Sequence, residues 1–252
     1  MTKQDSPTQL DNEASLILDR YARRSVRHAP HLERYRAIAR RERQEIYRSL
    51  VSRANPVSMD AIHVLDIGCG EGEELKWMGS LGVPVSHLVG VDLRQDATEA
   101  TRERLGNQAK VVCGDACKVD LGRSSFDVII CNIVFSSILD HNARMALAHR
   151  ITALLGDRGL LLWTDFVFNN PSNRDVRKVP LREVRLLFPT LTPHLQRRHL
   201  APPLGRTISR LGNVGGWGYT ALNCIPWLRT HLVGGLVKMP TTPLTTGATK
   251  CE

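Results

Sequence analysis

A glycine-rich segment carries the clearest chemical signal in the sequence. Residues 64–72 read VLDIGCGEG, an apolar run that leads into glycines. Glycine lets the backbone turn sharply and approach a ligand without a Cβ clash. The next residues, 73–81, are typical of a helix, whose first N–H groups are free to bind a ligand. A dinucleotide-binding loop would carry a third glycine where Glu73 stands, and Asp66 before the loop favours a cationic amine or sulfonium over a pyrophosphate.

Two further carboxylates follow the next two predicted strands. Asp92 ends the run HLVGVD, and a carboxylate there can accept hydrogen bonds from both hydroxyls of a ribose. Asp115 follows the run KVVC, where a carboxylate can accept a hydrogen bond from an adenine amino group. Ligands of open α/β sheets lie across the carboxyl ends of the strands. Asp66, Asp92 and Asp115 are therefore predicted to line one crevice.

Alternating strands and helices are needed to position these acids. Short apolar runs predict strands at 62–66, 87–92, 110–113, 126–131 and 159–165. Helical spacing between the strands predicts helices at 73–81, 98–105 and 144–155. This alternation indicates a parallel sheet with helices on both faces. The last third is less regular and predicts a short helix at 181–188 and two more strands, at 195–200 and 231–239.

The two ends of the chain differ from this central pattern. Helical spacing predicts helices at 13–27 and 31–53, and the Thr-rich tail is typical of a disordered segment. The predicted organisation is a helical extension at 1–55, an α/β domain at 56–240 and a disordered tail at 241–252.

The order of the segments VLDIGCGEG, GVD, GDA, FDVIICNIVFSSILD and LLGDRGLLLW resembles class I S-adenosylmethionine-dependent methyltransferases over roughly residues 60–170. The flanks are similar to a bacterial branch with YARR, FSSILD, NNP, LFP and LRTH motifs, found here at 21–24, 135–140, 169–171, 187–189 and 228–231. The resemblance implies an α/β fold: a doubly wound, Rossmann-like sheet of seven mostly parallel strands with an antiparallel final hairpin and an N-terminal helical cap.

The resemblance also implies a cofactor and its contacts. The methyl donor would be S-adenosyl-L-methionine and the product S-adenosyl-L-homocysteine. The implied cofactor-binding residues are Asp66, Gly68, Cys69, Gly70, Asp92, Leu93, Asp115, Ala116, Asn132 and Ile133. Asn132 stands where metal-dependent catechol-type relatives carry an acid, so we predict no metal ion.

The catalytic residues are less well determined. We predict O-methylation, and a hydroxyl acceptor needs a base within hydrogen-bond reach. The candidates are His141, which follows the fourth strand, and Asp165, at the end of the fifth. The alternative is that Asp140 caps the next helix and leaves His141 on the surface. Residues 132–135, NIVF, lack the two prolines that amino-methylating nucleic-acid enzymes carry there, which disfavours a nucleobase amine as the acceptor.

Charge along the chain indicates the kind of acceptor. The net charge is +9, with +5 in residues 1–53, −5 in 54–170 and +9 in 171–252. Basic flanks favour an anionic small-molecule or glycan acceptor, such as a sugar linked to a nucleotide or lipid diphosphate, although solvated surfaces explain the charges equally well. The predicted acceptor-binding residues are Tyr21, Arg23, Arg24, Asn169, Asn170, Arg174 and Arg177.

Composition excludes several other classes. No apolar run approaches the ~20 residues of a membrane helix, and the six cysteines form no CxxC pair, which argues against a zinc ribbon. We predict a cytoplasmic protein of undetermined oligomeric state.

Two alternative functions stay open. One is an RNA methyltransferase that uses the basic helix 34–53, disfavoured by an aromatic content of only 5%. The other is a scaffold protein that keeps the fold without catalysis.

Overall fold

Seven strands form one sheet in the computed structural model, which describes residues 9–23, 30–54, 58–123, 125–170, 173–211 and 214–238. The strands are β1 Val64–Ile67, β2 Leu88–Asp92, β3 Lys110–Cys113, β4 Phe126–Asn132, β5 Leu155–Phe166, β6 Leu191–Leu200 and β7 Arg229–Lys238. Their order across the sheet is β3-β2-β1-β4-β5-β7-β6. Strands β1 to β5 pair in parallel, and β7 is antiparallel to both β5 and β6. The predicted seven-stranded, mostly parallel α/β sheet is confirmed.

Eight α-helices accompany the sheet in the described part of the chain. They are α1 Gln9–Ala22, α2 Pro30–Ala54, α3 Glu73–Ser80, α4 Gln95–Leu105, α5 His141–Leu154, α6 Leu181–Leu187, α7 Pro202–Ile208 and α8 Val214–Asn223. Strand β6 begins four residues before the sequence prediction and includes Pro193. A proline fits there because β6 is an edge strand, where a missing N–H leaves no neighbour without a partner.

Side chains that alternate along the strands build a hydrophobic core on each face of the sheet. Leu65 and Ile67 of β1 join a cluster with α5 and α6, whereas Val64 joins a second cluster with α2 and α3. This alternation follows from the two-residue period of a strand. The sheet is therefore covered on both faces, as a doubly wound fold requires.

The N-terminal helices are in close contact with this domain. Tyr47 and Val51 of α2 are buried in the second cluster, and α1 lies against α5. The tail at 241–252, predicted to be disordered, and the predicted boundary at 55 lie outside the described residues. Within the described ranges, no helix is long and apolar enough to cross a bilayer.

Candidate cofactor and acceptor site

The loop between β1 and α3 depends on glycine. Gly68, Gly70 and Gly72 have φ values of +71°, +54° and +74°, a region that side chains disfavour. A Cβ on Gly68 would lie 2.9 Å from a methyl carbon of Val134. The Gly68 amide donates a hydrogen bond to the Val91 carbonyl at 2.8 Å, which ties the loop to β2. The loop therefore passes close to the end of the sheet, and its glycines let the backbone follow this path without a Cβ clash.

Asp92 is held rigidly at the end of β2. Its carboxylate accepts hydrogen bonds from the backbone amides of Gly70 and Arg94, each at 2.9 Å. Each carboxylate oxygen still has a second acceptor direction. This geometry suits a pair of ribose hydroxyls.

The other two predicted acids differ in their surroundings. Asp115 is partly exposed and accepts a hydrogen bond from the Cys117 amide at 2.9 Å. Asp66 is only 2% exposed, and its pKa is raised well above the ordinary value by burial, with smaller contributions from the nearby charges of Glu74 and Asp92. Asp66 is therefore a buried carboxyl, unlike partly exposed Asp115.

A cavity of about 200 Å³ joins most of the predicted cofactor residues. Asp66 and Cys69 do not line it; Cys69 is buried, with its sulfur 3.9 Å from the Thr101 hydroxyl. The predicted residues that line the cavity are Gly68, Gly70, Asp92, Leu93, Asp115, Ala116, Asn132 and Ile133.

Asn132 presents a buried donor to this cavity. Its side-chain oxygen accepts a hydrogen bond of 2.7 Å from Tyr47, whose hydroxyl is also 2.8 Å from that of Thr164. Since an amide oxygen only accepts, Tyr47 donates to Asn132 and Thr164 donates to Tyr47. This orientation leaves Nδ2 of Asn132 buried, with no partner among the described residues. Such a donor at a cavity wall indicates a ligand acceptor.

The backbone after Asn132 is strained. Ile133 has a φ of +58°, which is rare for a β-branched residue, and its amide donates to the Thr164 carbonyl at 2.7 Å. Strain of this kind costs about 1–3 kcal/mol and clusters at functional sites. It directs the chain after β4 across the end of the cavity.

Helix α1 covers the cavity. Glu13 accepts hydrogen bonds from Arg20 at 2.7 Å and from the Leu139 amide at 2.8 Å, and Arg20 donates to the Ser137 carbonyl at 2.9 Å. Glu13 and Tyr21 line the cavity. Glu13 and Arg20 are not among the residues predicted from the sequence; the available signal is a pair of opposite charges seven residues apart on one helix face.

A second cavity, of about 580 Å³, adjoins the first. The residues shared by the two linings are Tyr21, Arg94, Ile133 and Ser137. The second lining also contains aromatic and amide side chains, from Tyr35, Phe166, Phe168, Asn170 and Asn173. Its charged side chains in the described chain are all arginines: Arg36, Arg94 and Arg206.

Only part of the predicted acceptor set reaches this second cavity. Tyr21 and Asn170 line it. Arg177 instead donates to Glu183 at 2.8 Å, and the side-chain oxygen of Asn169 accepts from the Lys178 amide. The exposed residues Arg23 and Arg174 line neither cavity, and Arg24 lies outside the described residues.

The two candidate bases line neither cavity. Asp140 caps α5 by accepting a hydrogen bond from the Ala143 amide at 2.7 Å, and His141 is exposed in the first turn. Asp165 is 1% exposed and accepts hydrogen bonds from the amides of Ser136 and Phe166. Burial raises its pKa to about 6. Asp165 therefore holds the segment after β4 in place.

No set of three or more His, Cys, Asp or Glu side chains in the described ranges is arranged to hold a metal ion.

Several arginines of α2 form contacts within the protein. Arg40 pairs with Glu73 at 2.7 Å, Arg43 pairs with buried Glu74, and Arg34 donates to the Ser209 carbonyl. The basic N-terminal flank thus meets part of the acidic centre of the same chain.

Comparison with known proteins identifies the central part. A family model described as a methyltransferase domain matches residues 64–159, which include the glycine loop and the acids that follow β2 and β3. This chain carries a class I S-adenosylmethionine-dependent methyltransferase domain. The predicted activity class and methyl donor are confirmed. No curated protein matches the chain in sequence.

Solved structures with the same fold extend this comparison. A putative sarcosine dimethylglycine methyltransferase from Galdieria sulphuraria is 14% identical, with a TM-score of 0.60, over 91% of this chain and 99% of that protein. An S-adenosylmethionine-dependent methyltransferase from Mesorhizobium loti is 12% identical, with a TM-score of 0.55, over 75% and 95%. The [4+2]-cyclase SpnF is 15% identical, with a TM-score of 0.54, over 76% and 80%. At these identities the structures show the fold, and the family match carries the activity.

The chemistry of the first cavity fits the methyl donor of this enzyme class. Asp92 offers two acceptor oxygens to a ribose, and Asp115 offers one to an adenine amino group. The glycine loop leaves room for close backbone approach, and Nδ2 of Asn132 is a donor that requires an acceptor. These groups are complementary to S-adenosylmethionine.

Proposed function

We propose that this methyltransferase transfers a methyl group to an oxygen atom of a small anionic acceptor, a glycan precursor or a similar small molecule, held in the second cavity. The observation that carries the proposal is the set of three arginines in a lining with no described carboxylate, directly beside the cofactor cavity. Arginine binds phosphate or carboxylate through paired N–H donors. Aromatic walls and two asparagines suit a sugar or a flat aromatic ring.

The residues shared by the two cavities set the geometry of transfer. S-Adenosylmethionine, when bound, supplies a methyl group on a sulfonium for in-line displacement. Ile133 and Ser137 lie where the cavities meet, and alignment of reacting groups is a large part of catalysis in such reactions. Helix α1 covers the cofactor cavity and keeps water away from it. The chain would therefore act mainly by positioning the two reactants: the acceptor oxygen takes the methyl group, S-adenosylhomocysteine leaves, and a hydroxyl proton passes to water, because no Asp, Glu or His of the described chain lines the second cavity.

Arg206 is the arginine best placed to recognise an anion. Its Nε donates to the Pro202 carbonyl at 3.0 Å, and no described carboxylate pairs with its guanidinium. Arg36, by contrast, pairs with Glu33 at 2.5 Å, and Arg94 lies 3.7 Å from Asp92 and over the ring of Tyr21. An anionic acceptor is therefore expected to depend most strongly on Arg206.

The test is Arg206→Ala, assayed with nucleotide-diphosphate sugars and their uncharged parent sugars. Loss of one arginine–phosphate contact should raise the acceptor KM about 10- to 100-fold and leave S-adenosylhomocysteine affinity unchanged. Arg185→Ala, an exposed arginine on α6, is the matched control. Inorganic pyrophosphate should inhibit the parent enzyme competitively with respect to the acceptor. An unchanged KM in the Arg206 variant, or faster transfer to uncharged sugars, would contradict the anionic acceptor.

The RNA alternative loses part of its support in the structure. Arg40 and Arg43, which were candidates for phosphate contacts, form ion pairs with the acidic start of α3. Electrostatic binding to RNA needs protein cations that are free to contact phosphates and to displace the counterions of the RNA. Transfer of label from S-adenosylmethionine to bulk RNA, abolished by loss of exposed Arg48 and Arg53, would instead favour that alternative.

A further inference from the structure

The connection between β6 and β7 exposes two tryptophans. It contains α7, a 3-10 turn at Ser209–Leu211, α8 and a second 3-10 turn at Pro226–Leu228. Trp217 of α8 is 83% exposed and Trp227 of the second turn 85%, whereas the other two tryptophans, Trp77 and Trp163, are buried. Large apolar side chains left this open mark interaction surfaces when they lie together.

Helix α8 packs one face against the rest of the protein and leaves the opposite face exposed. Asn223 donates a hydrogen bond to Glu42 of α2 at 2.8 Å, and buried Tyr219 lies near the same carboxylate. At 100° per residue, Trp217 points away from Tyr219. The exposed residues of α8 and of the segment after it include Trp217, Thr220, Ala221, Cys224, Ile225 and Trp227, and the turn that holds Trp227 contacts α8. This Trp surface, defined as Trp217, Ala221, Cys224, Ile225 and Trp227, contains no charged residue.

The chain segment that carries the Trp surface has charges of one sign only. Residues 184–238 contain no Asp or Glu and seven Lys or Arg. Arg210 is exposed in the Ser209–Leu211 turn, which contacts α8, and Arg206 is exposed on α7, which also contacts α8. An apolar surface that carries tryptophans and has arginines nearby is typical of a protein segment that lies in the interface of an anionic membrane.

We propose that the Trp surface docks this enzyme onto anionic lipid membranes. Tryptophan places its ring among the acyl chains and its N–H among the headgroups. Each nearby arginine adds attraction to an anionic leaflet. The described helices need not span the bilayer for this, because interfacial binding uses only one face of a helix.

The charge pattern favours a membrane over a second copy of the chain. In a two-fold dimer the same surface faces itself, so the arginines of the two copies would repel each other. No described carboxylate from 184 to 238 offsets that repulsion. An anionic lipid surface supplies negative charge across the whole patch.

Docking would also place the acceptor cavity near lipid headgroups. Pro202 and Arg206 of α7 line the second cavity, and α7 contacts α8. If the proposed function holds, an acceptor attached to a lipid diphosphate would reach the cavity from the membrane surface. The docking itself does not rest on the identity of the acceptor.

The experiment measures binding of the full chain to large unilamellar vesicles. One set is phosphatidylcholine, and the other contains about one third phosphatidylglycerol. We expect the amount of protein that co-sediments with the anionic vesicles to be at least about tenfold higher than with the neutral ones. Added salt should lower the binding to the anionic vesicles. Tryptophan emission should shift to the blue on binding, because only Trp217 and Trp227 are exposed.

Variants distinguish docking from other causes. Trp217→Ser with Trp227→Ser should abolish vesicle binding and leave S-adenosylhomocysteine binding and the circular dichroism spectrum unchanged. Leu186→Ser, which alters a 69% exposed leucine on α6, is the matched control and should bind vesicles normally. Equal binding to neutral vesicles, no binding to either set, or a dimer in solution that the double variant dissociates would each overturn the proposal. Methyl transfer to a water-soluble acceptor without vesicles tests the proposed function separately.

Discussion

The amide of Asn132 shows how one residue in the N-terminal extension orients a group at the end of β4. Tyr47 donates to the amide oxygen at 2.7 Å and is itself held by Thr164 at 2.8 Å. Without this contact the amide could rotate and present its oxygen to the cofactor cavity. Tyr47 is therefore a positioning residue, since it does not line the cavity that Asn132 lines.

Replacement of Tyr47 by phenylalanine tests this role. The change removes one hydrogen bond and leaves the ring in place, so we expect affinity for S-adenosylhomocysteine or kcat to fall about 3- to 10-fold. Tyr219→Phe is the control, because Tyr219 loses a buried hydrogen-bonding hydroxyl far from this cavity. Calorimetry and steady-state kinetics provide the readout. A Tyr47 variant that loses stability but keeps both constants would show a merely structural role.

Asp165 is expected to make stability depend on pH. Burial raises the pKa of its carboxyl from 3.8 to about 6, so the folded protein keeps this proton to a higher pH than the unfolded chain. Stability therefore falls as pH rises through this window, by about 3 kcal/mol for a shift of about two units. Relative to Asp165→Asn, the free energy of unfolding should decrease from pH 4 to pH 6.5 in urea titrations. A constant difference, matching that of exposed Asp157→Asn, would contradict the raised pKa.

At the scale of elements, α1 acts as a cover for the cofactor cavity. It reaches the segment after β4 through Glu13 and Arg20, both almost fully buried. Breaking a buried ion pair costs several kcal/mol because the remaining charge loses its partner. Because α1 packs against only one side of the core, loss of this ion pair should lead mainly to local opening of α1.

Arg20→Met is predicted to loosen this cover. We expect affinity for S-adenosylhomocysteine to fall about tenfold or more and amide exchange in α1 to accelerate, with a small change in global stability. Arg23→Met alters an exposed arginine immediately after α1 and serves as the control. Isothermal calorimetry and hydrogen exchange measure the two effects. Unchanged exchange in α1 would mean that other contacts hold the helix.

At the scale of the whole molecule, part of the uneven charge of the chain is resolved internally. The basic helix α2 packs beside the acidic start of α3, where Arg43 pairs with Glu74 and Arg40 with Glu73. The C-terminal third has no comparable acidic partner within its own residues 184–238. Two of its cations lie near features described above: Arg206 lines the second cavity, and Arg210 lies on the turn that contacts α8.

Two arginines of α2 provide a direct comparison of buried and exposed pairs. Arg43→Met should lower the free energy of unfolding by about 3–5 kcal/mol, because Glu74 is left buried without its cation. Arg41→Met, which breaks an exposed pair with Glu45, should cost less than about 1 kcal/mol. Urea unfolding of both variants and of Arg43→Met with Glu74→Gln measures the coupling. Equal costs for the two single variants would contradict the internal neutralisation.

The central strands and helices, and most residues of the first cavity, could be predicted from the sequence. The strand, glycine loop and helix at 64–80 are local features, and their periodicity and composition are visible without any long-range contact. Asp92 and Asp115 were predictable because parallel strands bring their carboxyl ends to one edge. The short strands were located to within a few residues because their apolar runs are also local features.

The contacts between side chains that are far apart in sequence could not be predicted, because they depend on how the elements pack. Tyr47 and Asn132 are 85 residues apart, and Arg20 and Ser137 are 117 apart. The acceptor arginines named from sequence position stay a prediction. In the structure Arg177 pairs with Glu183, whereas Arg36, Arg94 and Arg206 line the second cavity. An arginine on a helix or loop looks the same in sequence whether it faces water, an acid or a ligand. Its role depends on what the fold packs against it, and that is set by burial and long-range pairing.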